Sequence, residues 1–127
     1  MTDSTVFVLE NQNRWAPELQ RQFERAERVH VRGCRGFSDL GNQGKIPQNC
    51  VVVLDLSVNT AECLQYLGRE ICGKLCGPVV VMAPQEMSDL EWAVRELGVK
   101  EYLSGFYSGE ELAKLCRRLL HLPIDLG

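Results

Sequence analysis

The stretch VVVLDLSVNTAECLQ, residues 51–65, decides how the chain is read. Four apolar residues run straight into Asp55, and a helical pattern begins a few residues later. A short, continuously apolar run marks a strand buried on both faces, as in a parallel sheet covered by helices. Asp55 then stands at the carboxyl end of that strand, where open parallel sheets hold their ligands. Two readings of its carboxylate stand side by side. It is a reactive acceptor, or it is a polar cap that bonds amides of the strand–helix connection, as Asp does in turns.

The same alternation extends in both directions. Residues 6–9 (VFVL) read as a first buried strand. A helix opens at residues 13–17, with Pro17 tolerable in its first turn, and sets Trp15, Leu19, Phe23 and Ala26 on one face. Residues 28–31 form a short second strand. Residues 33–49 carry four glycines and a proline, which weakens any helix there. Downstream of the central strand, residues 60–71 read as a helix with Leu64, Leu67 and Ile71 inward, and residues 78–82 as a fourth apolar strand.

Ser88 and Ser108 each precede a glutamate by three residues, the capping-box spacing that opens a helix. Gly98 follows Leu97 where a glycine ends one. Residues 101–104 make a fifth strand. The last helix buries Leu112, Leu115, Cys116 and Leu119 and puts Arg117, Arg118 and His121 near its negative end.

Strands and helices alternating in this way predict an α/β flavodoxin-like three-layer sandwich: a five-stranded parallel sheet in the order 2-1-3-4-5 with helices on both faces. In that order Glu10, ending the first strand, and Asp55, ending the third, are neighbours at the switch point.

Composition bounds the function. A chain of 127 residues is most simply one domain, here residues 1–121, with 122–127 a tail or the start of a linker. A formal net charge of −3 argues against a sequence-independent nucleic-acid binder, which needs a basic face. The apolar run at the N-terminus stops at Glu10 and has no basic residues before it, so it reads as a strand and not a signal peptide. No run spans a membrane. The six cysteines lie in predicted strands and helices and read as reduced thiols of a cytoplasmic protein. Cys72 and Cys76, four apart, would share a helix face; packed thiols are the reading preferred over a redox pair or half a metal site. His30 and His121 have no evident partner and receive no catalytic role.

These segments resemble the receiver domain of two-component response regulators, over about residues 5–121. VVVLDLS is similar to the family's third strand with its phosphoacceptor at Asp55, and EYLSG followed by SGEEL is similar to its fifth strand and helix. The resemblance puts the aromatic switch position at Tyr102. It also exposes departures. The usual acidic pair that holds Mg²⁺ is Glu10-Asn11, the hydroxyl that ends the fourth strand falls on Ala83, the lysine after the fifth on Gly105, and the following proline on Phe106.

A phosphoryl group on a carboxylate is stabilised by surrounding charge. Without the lysine and hydroxyl, little separates a phosphorylated from an unphosphorylated state, and a two-state switch needs about 5.5 kcal/mol of such difference. The expectation is therefore a degenerate, non-enzymatic receiver. It acts as a phosphorylation-independent interaction or dimerisation module, with no cofactor, or at most a weak Mg²⁺ site at Glu10 and Asp55. The resemblance implies other signalling proteins or an effector domain as partners, or a homodimer through the face of the family's fourth helix, fifth strand and fifth helix. Trp92, Tyr102 and Phe106 are candidates for that face, Trp92 being open between core and surface. The alternatives are a receiver phosphorylated on Asp55 by a histidine kinase and a thiol sensor at Cys72 and Cys76.

Overall fold

A computed structural model describes residues 4–23, 27–35, 49–57, 60–67, 78–105 and 107–121. Strands β1 (Ser4–Leu9), β2 (Val29–Cys34), β3 (Cys50–Asp55), β4 (Val79–Ala83) and β5 (Glu101–Ser104) form one parallel sheet in the order β2-β1-β3-β4-β5. Between them run α1 (Trp15–Gln22), α2 (Thr60–Tyr66), a 3-10 turn (Gln85–Leu90) leading into α3 (Glu91–Glu96), and finally α4 (Gly109–Leu119). The predicted architecture and strand order both hold.

The pleat divides the continuous apolar strands between two cores. Val51 and Val53 face one side with Val6 and Val8, and there they meet Trp15 and Leu19 of α1 and Leu112 and Cys116 of α4. Val52 and Leu54 face the other with Phe7 and Leu9, against Cys63 and Tyr66 of α2 and Val94 of α3. Each such fully buried side chain contributes roughly 1.5–3 kcal/mol of transfer free energy. This central strand anchors the fold.

Arg117 fastens α4 to the far end of α1. Its Nε donates to Glu27 Oε2 at 2.7 Å, its Nη2 donates to the Gln22 carbonyl at 2.6 Å, and its guanidinium lies 5.1 Å from the Phe23 ring centroid. One side chain therefore satisfies a carbonyl at the end of α1 and pairs a half-buried carboxylate.

The two capping boxes part company. Ser108 caps α4, its Oγ accepting from the Glu111 N–H at 3.1 Å. Ser88 caps nothing: it lies inside the 3-10 turn, which begins after Pro84, and the Met87 N–H donates to the Pro84 carbonyl at 2.9 Å. The turn meets those backbone groups itself, and Glu91 turns to Arg95 instead, at 2.8 Å. Two further expectations need adjusting. β2 runs to Cys34, beyond residue 31. Leu115 and Leu119 are only partly buried, with Ala113 taking the inner position beside Leu112 and Cys116. The described part of α2 ends at Tyr66, so Ile71, Cys72 and Cys76 lie outside the described residues, as do Ala26, Phe106 and 122–127.

Candidate functional site

Leu9 pairs with Leu54 across β1 and β3, so the chain leaves both strands side by side and delivers Glu10 and Asp55 to one end of the sheet. The two carboxylates have different employment there.

Glu10 is buried, 3% exposed. The Trp15 N–H donates to its Oε1 at 2.9 Å and its Oε2 at 3.2 Å, and the Ala16 N–H donates to Oε2 at 2.9 Å. The residue preceding α1, Arg14, makes no side-chain cap, so Glu10 reaches across the loop to supply one. A carboxylate at this end of a helix satisfies orphan amides and complements the helix dipole, together worth about 1–2 kcal/mol.

Asp55 is half-buried. Its Oδ1 accepts from the Ser57 N–H at 3.0 Å and the Ser57 hydroxyl at 2.6 Å, the geometry of a turn cap. Its Oδ2 takes no hydrogen bond from a described residue.

Beside Asp55 opens a shallow pocket of about 120 Å³. Met82, Ala83 and Pro84 at the end of β4 form one wall. Gly105 stands at the rim with φ +95°, and a Cβ placed on it would meet open space. Arg14 and Trp15 close the opposite side, the guanidinium stacked 4.6 Å from the indole centroid. Arg14 is the functional candidate that the sequence reading passes over. Its only sequence signal is its place in the loop after the first strand, at the switch point. No ion pair joins it to Asp55. Among the described residues no three His, Cys, Asp or Glu side chains converge as a metal-binding group.

Tyr102 is buried on the α3 side of the sheet, and its hydroxyl donates to the Met87 carbonyl at 2.6 Å. Burial, and then the charges of Glu91 and Asp89, push the phenol above its usual range. The ring is thereby tied to the 3-10 turn that follows β4. Trp92, which the sequence leaves open between core and surface, points outward at 73% exposure. The described cysteines Cys34, Cys50, Cys63 and Cys116 are buried free thiols, and burial pushes Cys116 up to about 12. No helix among the described residues is long and apolar enough to cross a membrane.

No protein-family model matches the chain, and no curated protein matches it in sequence. Solved structures do match in fold. Full-length FixJ from B. japonicum superposes with a TM-score of 0.73 at 15% identity over 95% of this chain, which spans 59% of the length of that protein. A response regulator receiver protein from Burkholderia phymatum superposes with a TM-score of 0.74 at 15% identity, over 98% of this chain and 100% of that one. With its strand order and the site at the strand ends, the chain carries the fold of a response-regulator receiver domain.

Proposed function

We propose that this domain works as a receiver-like contact module whose surface is fixed without phosphorylation of Asp55. The observation that carries the reading is the engagement of Glu10. Both of its oxygens accept amides at the start of α1. A Mg²⁺ ion wants several oxygen ligands in near-octahedral array, usually including one or two carboxylates. Here the first carboxylate is spent on a helix cap and Asn11 adds no charge, so the residues present do not fit the ion. Ala83 and Gly105 contribute neither hydroxyl nor ammonium to a phosphoryl oxygen. Meanwhile Tyr102 is already held inward on Met87, with no phosphoryl-dependent contact needed to keep it there.

Incubation with a small phosphodonor and Mg²⁺ followed by intact mass measurement tests the reading. The mass is expected to stay unchanged. A stoichiometric gain of one phosphoryl group, lost in Asp55→Asn, overturns it.

One observation favours a second reading, in which Asp55 accepts a phosphoryl group after all. Arg14 lines the same pocket and would offer the cation that Gly105 lacks. In that case the mass gain would appear in the parent protein and vanish in Arg14→Ala.

A further inference from the structure

We infer that the outer face of the 3-10 turn and α3, centred on Trp92, docks a basic segment of a partner protein, with an arginine or lysine laid on the indole. This inference rests on the contact-module reading and names the chemistry of the partner.

Trp92 is 73% exposed, the one exposed large hydrophobic side chain among the described residues. Large aromatics anchor interface cores, and the face of an indole attracts guanidinium and ammonium groups. Asp89 lies three residues before Trp92 and Glu96 four residues after, spacings that bring side chains together on a helical surface. Both are exposed, and the side chain of neither has a hydrogen bond or ion pair with a described residue. Glu91, by contrast, is bound to Arg95, which also reaches Glu101 at 3.6 Å. Residues 85–101 hold five carboxylates against two cations, a net of −3 that equals the formal charge of the whole chain. The segment that carries the exposed tryptophan is thus net negative, with Asp89 and Glu96 its unpaired carboxylates nearest in helical spacing.

A second copy of the chain is the competing occupant, and the charges disfavour it. Two such faces brought together would set carboxylate against carboxylate. On α4, Lys114 is paired with Glu110 and Arg117 with Glu27, so that among the described residues this helix has Arg118 alone to set against the carboxylates. The face is also preorganised. Val94 is in the core, Met87, Leu90 and Leu97 pack against it, and Tyr102 holds the Met87 carbonyl. A partner would meet a surface with little left to order.

The test titrates the protein, never exposed to a phosphodonor, into a fluorescein-labelled short Arg/Leu peptide, with a Glu/Leu peptide as control, and follows anisotropy. The Arg/Leu peptide should bind and weaken as salt rises, and the control should not bind. Trp92→Ala should weaken binding about tenfold, as loss of an aromatic anchor does. Asp89→Lys with Glu96→Lys should weaken it further and flatten the salt dependence. All three positions are exposed, so circular dichroism of the variants should match the parent. Undiminished binding by both variants, or no binding at any salt either before or after phosphodonor treatment, overturns the inference. So does a dimer seen by light scattering that Trp92→Ala abolishes, since the face then belongs to a second copy. Binding that appears only after phosphodonor treatment keeps the surface and sinks the phosphorylation-independent reading. The two ideas can therefore fail separately.

Discussion

The pocket around Asp55 and the region around Tyr102 flank the same pair of strands, β4 and β5, and are furnished in opposite styles. At the pocket, β4 ends in Ala83, β5 is followed by a left-handed glycine, Gly105, and the carboxylates of Glu10 and Asp55 bond local backbone. Around Tyr102 the groups serve packing. The phenol is buried against Val94 and Val99, and its hydroxyl is spent on the Met87 carbonyl. Arg14 apart, side chains that would read a phosphoryl group are missing from the first region, while in the second the Tyr102 hydroxyl is already engaged. On the proposed reading, the difference teaches how internal hydrogen bonding can keep the surface of a receiver fold in one shape.

The largest expected effect falls on Glu10. Glu10→Ala leaves two helix amides without a partner and should cost about 2–3 kcal/mol in urea denaturation, while Glu10→Gln, which keeps an acceptor, should cost about 1 kcal/mol. In a repulsive carboxylate pair built for a cation, removing one acid would stabilise instead, so the sign alone decides. Next comes the missing lysine. Gly105→Lys forces a side chain onto a backbone at φ +95° and should destabilise by about 1–2 kcal/mol without restoring phosphorylation. Tyr102→Phe removes the hydroxyl from Met87 and should cost about 1 kcal/mol, and the amides of the 3-10 turn should exchange faster.

Alkaline titration sharpens the same contrast. Burial raises the folded-state values of Tyr102 and Cys116 above their ordinary ones, Cys116 to about 12. Their protonated forms are therefore favoured in the native state. Stability should be full below the ordinary thiol value and should fall as pH rises from there toward 12, because the unfolded chain releases these protons first. Cys116→Ala and Tyr102→Phe should each flatten part of that decline. The smallest effect is expected at Asp55, where Asp55→Asn should change stability by less than about 0.5 kcal/mol, since a half-exposed turn cap retains an acceptor.

The continuous apolar run at 51–54 carried the fold, because only a strand covered on both faces tolerates such a sequence, and the strand order followed from alternation and handedness. The delivery of Glu10 and Asp55 to one end of the sheet was legible for the same reason. The use to which Glu10 is put was not. A glutamate capping a helix five residues on depends on the path of the loop, which no local spacing encodes. Ser88 misled because the capping-box pattern is blind to a preceding 3-10 turn started by Pro84. Arg14 and the outward turn of Trp92 depend on loop geometry and on helix rotation, both set by tertiary packing.

The central claim is that phosphate chemistry at Asp55 does not move the Tyr102 region. Amide NMR spectra with and without Mg²⁺ and a beryllofluoride phosphate mimic address it most directly. The account predicts superimposable resonances for residues 81–104 at saturating mimic. Stoichiometric shifts that spread from Asp55 through Met87 to Tyr102 would contradict it.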